Sequence, residues 1–196
     1  MNNRQRFWYL DELVTQSLSA VASHATLRRY LANPETKQTL FVWTNVSAFL
    51  GHVGIISKVL YPARQSSRDR ATEIKETLDL PELPNLAERA GRDNIEHIDE
   101  RIDNWAAKDI GSLISMVFDD RAGYEYICTP DKAVRRALIE SELIYISENQ
   151  HGERVETSLQ PLLAEIEIVR DKASTGIQAD PPYHVILAAA LHGHAR

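Results

Sequence analysis

Apolar residues recur at intervals of three and four through the first 60 residues, and this spacing constrains the fold more than any other feature of the chain. In the first stretch, residues 4–30, the apolar positions are Phe7, Leu10, Val14, Leu18, Val21 and Ala25. In the second, which ends before Pro62, they are Leu40, Trp43, Val46, Leu50, Val53, Ile56 and Leu60. Such spacing is typical of helices with one apolar stripe that must be covered by another element. The sequence therefore predicts two long helices, the second starting after the cap-like Asn33-Pro34, at the beginning of a helical bundle.

Two further helices are predicted before residue 108. A short helix over about 71–78 is followed by a proline-containing loop and then by a longer helix over about 85–107. Gly51 and Gly54, inside the second long helix, indicate either close helix packing or tolerated interruptions. Residues 1–108 are thus predicted to form a bundle core of about four helices.

After residue 108 the helical spacing gives way to short runs rich in β-branched and aromatic residues. The predicted elements are, in order, a hairpin over 113–118 and 124–128, a short helix over 134–138, a second hairpin over 142–147 and 153–157, a helix over 159–172 and a final short helix over 184–194. Residues 109–196 are therefore predicted to be a β-hairpin appendage with C-terminal helices, packed on the same domain. The predicted fold class is mainly α.

Composition and charge limit the function classes. The chain of 196 residues is 43% hydrophobic and 26% charged, which fits one globular domain. Its formal net charge of -6 means that any contact with nucleic acid has to come from a local basic patch. The single cysteine forms no internal disulfide, no secretory signal is apparent, and no apolar stretch is predicted to span a membrane. We expect a cytoplasmic protein without a membrane partner, metal or cofactor.

The hexapeptide Arg92–His97, with the sequence Arg-Asp-Asn-Ile-Glu-His, is the strongest candidate for a functional site. Histidine titrates near neutral pH and serves as a general acid or base, and arginine offers a charged planar fork to phosphate oxygens. Such a pair fits RNA cleavage without metal. His97 would move a proton at the ribose 2′-hydroxyl or at the leaving oxygen, and Arg92 would stabilise the charge around phosphorus. Asp93 would orient the imidazole, and the neighbouring carboxylates favour its charged form and hence the general-acid role.

Helical geometry predicts that this pair lies away from the core. At about 100° per residue, one apolar stripe of the predicted motif helix points inward. Its members are Ile95, Ile98, Ile102, Trp105 and Ala106. Arg92 and His97 lie off this stripe, so neither is needed for packing. The alternative interpretation is an ordinary solvated helix face, with Arg92 paired to Glu88 or Glu96 and His97 paired to Asp93.

The hexapeptide resembles the signature of the HEPN superfamily, in which an arginine is followed by a polar residue, three variable residues and a histidine. HEPN proteins are bundles of four or five helices, and many are metal-independent ribonucleases of toxin–antitoxin, defence or RNA-processing systems. The resemblance covers about the first hundred residues. It implies a HEPN-like bundle in which Arg92 and His97 are the catalytic pair and Asp93 is the polar second residue, with Asp where Asn is frequent. The hairpin region is not part of the family pattern.

The resemblance also implies a reaction and partners. The expected function is endoribonucleolytic cleavage by attack of the 2′-hydroxyl, leaving a 2′,3′-cyclic phosphate, in a cleft shared by two copies of the motif in a homodimer. RNA is then the substrate, and an antitoxin protein would be a further partner in a toxin–antitoxin system. The alternative is a catalytically inactive HEPN-like module that binds RNA, a nucleotide or a protein through the same groove. The acidic residues beside the motif favour this alternative because they repel an RNA backbone.

A second basic cluster lies earlier in the chain. Arg64, Arg68 and Arg70 are close together in the polar stretch before the motif and are candidates for binding an RNA backbone. A plain solvated loop is the alternative, because Asp69 dilutes the positive charge.

Five other residues with side chains that carry chemistry elsewhere have simpler interpretations here. Glu148 and His151 have a Glu-x-x-His spacing, but a second copy is missing and the pair falls in a predicted turn, so no metal site is expected. His24 and His52 are expected to be packed or surface histidines. Cys128 is expected to be a small buried hydrophobic residue on a strand rather than a nucleophile.

Overall fold

The computed structural model describes residues 1–88, 98–107, 113–129, 132–149 and 151–178. Its helices are α1 (Asn3–Leu31), α2 (Leu40–Leu60), α3 (Arg68–Thr77), α4 (Pro84–Ala87), α5 (Ile98–Ala107), α6 (Arg121–Ile127) and α7 (Leu159–Gln178). Its strands are β1 (Leu113–Phe118), β2 (Ala133–Ile139), β3 (Ile144–Glu148) and β4 (Arg154–Ser158). The described part of the protein is mostly helical, as predicted, and carries one four-stranded sheet.

The N-terminal helix forms where the sequence predicts it. The Asn2 side chain accepts a hydrogen bond of 2.8 Å from the Gln5 amide, and the Gln5 side chain accepts one of 3.2 Å from the Asn2 amide. This reciprocal capping box satisfies two amides at the helix start. Helix α1 then buries Leu10, Leu13 and Leu27 on one face.

The second long helix starts later than predicted. The chain after Asn33 makes turns instead of a helix, because the Asn33 side chain accepts from the Glu35 amide and the Thr36 hydroxyl donates to the Tyr30 carbonyl at 2.9 Å. Helix α2 begins at Leu40 and ends at Leu60, the predicted end.

Helices α1, α2 and α7 form the main helical layer, and one apolar cluster joins them to the sheet. Leu13, Phe49 and Ile166 belong to this cluster, together with Val117 and Leu138 from strands β1 and β2. The core therefore contains residues from both sides of the predicted change of pattern in the chain.

Helix α7 approaches its neighbours very closely at one glycine. A Cβ atom built on Gly176 would lie 3.1 Å from Leu78 Cδ2 and 3.2 Å from Leu10 Cδ1. The same construction on Gly51, in α2, meets nothing within 4 Å. Close packing thus explains a glycine in α7, whereas Gly51 is a tolerated interruption of α2.

The sheet has the strand order β1-β2-β3-β4, with β1 parallel to β2 and the other pairs antiparallel. The predicted hairpin between β3 and β4 is confirmed. The predicted hairpin over 113–118 and 124–128 is wrong, since β1 pairs with β2, a segment predicted to be a short helix. The region is therefore a mixed sheet rather than a hairpin appendage.

Residues 121–127 form helix α6 between the parallel strands, because the Asp120 side chain caps it by accepting from the Gly123 amide at 2.9 Å. Tyr124 and Cys128, four residues apart, are buried against the sheet, while Tyr126 is exposed. The prediction of a strand over 124–128 is therefore wrong, and a segment of seven residues is too short for its pattern to separate a helix from a strand.

The two faces of the sheet are covered by different layers. Val117, Leu138 and Tyr145 face the helical layer, whereas Val134 and Ile146 belong to a second apolar cluster under α6. At the open edge of β1, the Gln38 side chain bonds both backbone groups of Val117, at 2.6 and 3.1 Å. This contact satisfies two backbone groups at the sheet edge and links the edge to the segment just before α2.

The predicted single helix over 85–107 is wrong within the described residues. Helix α4 ends at Ala87, and Glu88 has an extended backbone with φ -67° and ψ 129°. The Glu165 carboxylate holds the start of α4 by accepting from the amides of Asn85 at 3.0 Å and Leu86 at 2.7 Å.

Among the described helices, α2 is the one that is long and apolar enough to cross a membrane by length and composition, and half of its most apolar stretch is buried inside the protein. The core helices of globular proteins have the same length and composition as such a membrane-spanning helix.

Candidate functional site

The hexapeptide lies outside the described residues. The catalytic roles of Arg92, Asp93 and His97 therefore stay predictions from the sequence. The described part of the chain resumes at Ile98, the residue after His97, as the start of α5.

Helix α5 buries only part of the predicted face, since Trp105 is buried as predicted and Ile102 is not. Arg101 and Trp105, four residues apart, are 5% and 7% exposed. Ile102 is 48% exposed and Ala106 is exposed, so their predicted place in the core stripe is wrong. The reason is the surface that α5 meets, which presents a carboxylate and a polar cavity instead of a purely apolar wall.

Helix α5 lines a cavity that also contains arginines of the sheet, and we call it the arginine cleft. It has a volume of about 170 Å³ and lies between α2, α5 and the sheet. Its lining residues are Trp43, Val46, Ser47, Arg101, Trp105, Arg135, Arg136, Tyr145, Ser147 and Glu148. Three guanidinium groups thus meet one carboxylate around a half-enclosed space, next to the helix that follows the hexapeptide.

A β-bulge brings two of the arginines into the cleft. Ile114 of β1 pairs with Val134, but the next residue, Ser115, pairs with Arg136, so Arg135 is an extra residue in β2. Consecutive residues of a regular strand point to opposite faces, and a bulge changes that alternation. Arg135 and Arg136 consequently both line the same cavity.

Arg136 is held rigidly at the cleft wall. Its Nε donates a hydrogen bond of 2.7 Å to Ser115 Oγ, and its Cζ lies 4.6 Å from the centroid of the Trp43 ring. Burial, and next the charge of Arg135, lower the pKa of Arg136 below the usual arginine value. A group whose charged form is disfavoured in this way is stabilised by a nearby anion.

The carboxylate in the cleft is engaged by other donors. Trp105 Nε1 donates to Glu148 Oε2 at 3.0 Å, and the Val134 amide donates to Glu148 Oε1. Glu148 is buried, whereas His151, its partner in the Glu-x-x-His spacing, is exposed. Within the described ranges, no three histidine, cysteine or carboxylate side chains cluster as metal ligands.

The earlier basic cluster is not one uniform surface. Arg64 and Arg68 are exposed around the turn that precedes α3. Arg70 instead packs α3 against the bundle, because its Nη1 donates to the Tyr9 hydroxyl at 3.1 Å and its Cζ lies 4.7 Å from the Tyr9 ring centroid. RNA binding by these residues stays a prediction, and the geometry leaves Arg64 and Arg68 as the accessible pair.

The remaining residues with reactive side chains are packed, as predicted. His24 is buried with its ring 5.5 Å from that of Phe49, and burial, then Arg28, lower its pKa. His52 Nδ1 lies 2.6 Å from Gln16 Oε1. Cys128 is 2% exposed and burial raises its thiol pKa, although it follows a helix instead of lying on a strand.

Sequence reasoning missed Arg101, Arg135, Arg136 and Trp43 as members of a site. The four-residue interval from His97 to Arg101 and again to Trp105 was a usable signal, because such residues share one helix face. The pair Arg135-Arg136 gave no such signal, since a regular strand would point its two side chains apart.

Comparisons of the chain with protein-family models, with curated proteins and with solved structures found no match. The functional assignment therefore depends on the hexapeptide and on the geometry of the arginine cleft.

Proposed function

We propose that this protein is a metal-independent endoribonuclease of the HEPN type, with Arg92 and His97 as its catalytic pair and Asp93 as the residue that orients the imidazole. The observation that carries the proposal is the position of Arg101. It lies four residues after His97 in the sequence, and its side chain lines a cleft with Arg135 and Arg136. This cluster of guanidinium groups, which includes an arginine close to the hexapeptide in the sequence, supplies the local positive charge that a chain of net charge -6 needs in order to hold RNA.

In the proposed reaction, the ribose 2′-oxygen attacks the adjacent phosphorus and the bond between phosphorus and the 5′-oxygen breaks. The products are a 2′,3′-cyclic phosphate end and a 5′-hydroxyl end. The proton lost by the 2′-hydroxyl is balanced by the proton gained by the 5′-oxygen, so no redox partner is consumed. His97 protonates the leaving oxygen, and a second copy of His97 in the dimer accepts the 2′-hydroxyl proton. Arg92 stabilises the charge on the phosphoryl oxygens.

The arginine cleft and the exposed arginines have separate proposed roles. The cleft binds the strand next to the reacting phosphate, whereas Arg64 and Arg68 contact the backbone farther along. Each lost contact to single-stranded RNA lowers the slope of log affinity against log salt by about 0.7. Changing Arg64 and Arg68 to glutamine together should therefore reduce the slope and leave the cleavage position unchanged.

The decisive experiment is cleavage of a mixed single-stranded RNA in EDTA. The wild-type protein is compared with Arg92→Ala and His97→Ala, and with His151→Ala as a matched exposed histidine. Cleavage that survives chelation, yields cyclic phosphate ends, persists in His151→Ala and disappears in both motif variants supports the proposal. If His97→Ala cleaves as fast as wild type at equal folding, the proposed chemistry is wrong.

A second candidate is an inactive module that binds RNA, a nucleotide or a protein through the same groove. Three exposed carboxylates on α5 favour it, since Asp99, Glu100 and Asp103 repel an RNA backbone near the hexapeptide. Binding of RNA by folded wild-type protein without any cleavage product would select this candidate.

We also propose a cytoplasmic homodimer, with an antitoxin protein as partner if the nuclease is a toxin. Ile102 is 48% exposed on the helix after the hexapeptide, and we choose it as the position at which to disturb contact with a second copy. Sedimentation equilibrium of wild type and Ile102→Asp tests this point. A wild-type protein that is monomeric at the concentrations used for cleavage would contradict the shared cleft.

A further inference from the structure

We infer that the arginine cleft is a subsite for one phosphate group of an unpaired RNA nucleotide. The identity of the ligand as RNA rests on the proposed function, whereas the binding of phosphate rests on the cleft alone.

The charges of the cleft call for an anion. Arg135 and the terminal Nη atoms of Arg136 donate no hydrogen bond to any residue in the described ranges. The carboxylate of Glu148 already accepts from Trp105 and from the Val134 amide, so both of its oxygens are occupied by other donors. Half-buried guanidinium groups lose hydration and gain most from a partner with several acceptor oxygens. A phosphate group has such oxygens and the matching charge.

The size of the cleft limits what enters. A cavity of about 150 Å³ in a protein holds one benzene ring, and the arginine cleft has about 170 Å³. That space holds one phosphate with its ester atoms or one small ring. A base pair does not fit, and the walls formed by Trp43 and Trp105 are almost completely buried, at 4% and 7% exposure. The ligand therefore comes from a single strand or a strand end.

The arrangement of Arg136 distinguishes a phosphate from a stacked base. Its guanidinium already covers the Trp43 ring, so this indole face is not open to a nucleobase. Ser115 fixes Nε and directs the terminal nitrogens of Arg136 away from that bond. A fork held in place loses little conformational freedom when it binds, which favours tight recognition of phosphate oxygens.

The test is calorimetric titration of the full-length protein with inorganic phosphate and with adenosine 5′-monophosphate, using adenosine as the ligand without phosphate. Arg135→Gln and Arg136→Lys are compared with Arg29→Gln, a matched change at an exposed arginine in the last turn of α1. A charge-assisted hydrogen bond contributes enough that its loss weakens binding about 10-fold or more. We expect both cleft variants to bind phosphate more weakly by this factor and Arg29→Gln to bind it as the wild type does. Adenosine should not bind to any of the proteins. Arg136→Lys keeps the positive charge but removes the planar guanidinium. A loss of affinity in this variant therefore shows that the guanidinium geometry, and not the charge alone, binds phosphate.

Two results would overturn the inference. One is equal affinity of wild type and a folded Arg135→Gln for phosphate, and the other is no binding of phosphate at millimolar concentration. Thermal unfolding of each variant establishes that it is folded, and Arg135 is the safer position because it is an extra residue in a bulge.

The inference and the proposed function fail in different ways. A wild-type protein that binds phosphate but never cleaves RNA keeps the subsite and removes the nuclease. A protein that cleaves RNA at an unchanged rate in Arg135→Gln, and binds no phosphate, keeps the nuclease and removes the subsite. His97→Ala provides the link, because it should bind single-stranded RNA at the cleft while cleaving none. A duplex of the same sequence should compete about 10-fold less well or worse.

Discussion

The indole Nε1 of Trp105 donates a hydrogen bond of 3.0 Å to Oε2 of Glu148, and both side chains are buried. This bond joins α5 to β3 across one wall of the arginine cleft. Helix α5 begins at Ile98, the residue that follows the hexapeptide in the sequence.

Changing Trp105 to phenylalanine should destabilise the protein. The substitution leaves an oxygen of a buried carboxylate without its donor, which costs about 1–3 kcal/mol. Urea unfolding followed by circular dichroism measures the change. Trp8→Phe is the control, since Trp8 is 55% exposed. A loss for Trp105→Phe no larger than that for Trp8→Phe would contradict the structural role of the bond.

Changing Glu165 to glutamine should also destabilise the fold. Its carboxylate accepts from the Asn85 and Leu86 amides and from Asn85 Nδ2, so it caps α4 and links that helix to α7. Glutamine keeps the shape but has one acceptor oxygen in place of two, and the loss should be about 1–3 kcal/mol. Glu125→Gln, at an exposed position of α6, should change the free energy of unfolding by less than about 0.5 kcal/mol.

Alanine should stabilise the protein less at one helical glycine than at another. Gly51→Ala in α2 should raise the free energy of unfolding by about 0.5–1 kcal/mol, because alanine favours the helix and its Cβ meets open space. Gly176→Ala in α7 should fall short of that gain, because its Cβ would lie 3.1 Å from Leu78 and 3.2 Å from Leu10. Thermal unfolding of the two variants under identical conditions compares them. An equal gain at both positions would show that α7 has room to shift.

Acid should destabilise the protein partly through His24. Burial, and next Arg28, lower the pKa of its imidazole in the folded state from the ordinary value of 6.5. The unfolded chain therefore binds this proton first, and the free energy of unfolding falls as the pH drops from about 6.5 towards the folded-state pKa. One proton contributes at most about 1.4 kcal/mol per pH unit.

The variant His24→Gln should lose this part of the pH dependence. Urea unfolding at pH 7, 6 and 5 measures the slope, and His151→Gln, at an exposed position, shows the effect of the replacement itself. Identical slopes for wild type and His24→Gln would mean that His24 does not contribute to acid sensitivity.

Local patterns in the sequence were sufficient for several elements of the fold. The spacing from Phe7 to Ala25 predicted α1, and the run ending at Leu60 predicted the end of α2. Two short stretches on either side of a turn predicted β3 and β4. In each case residues close together in the chain carry the information.

The parallel pairing of β1 with β2 could not be predicted in the same way. Leu113 pairs with Ala133, and helix α6 lies between the two strands in the chain. The run 134–138 has two adjacent arginines between apolar residues, and its length fits a helix turn as well as a short strand. Strand β2 forms because β1 and β3 lie on either side of it and a layer covers each face of the sheet. The sequence of a short segment carries no information about these partners.

The hexapeptide Arg92–His97 and its proposed chemistry come from the sequence by itself, since residue types and their interval are local properties. Only the tertiary structure brings the residues of the arginine cleft together. Arg135 reaches it through a bulge opposite β1, and Arg101 is buried because α5 meets Glu148 and not an apolar wall. Side-chain direction in a strand and the buried face of a helix depend on what packs against them, and those partners are distant in the chain.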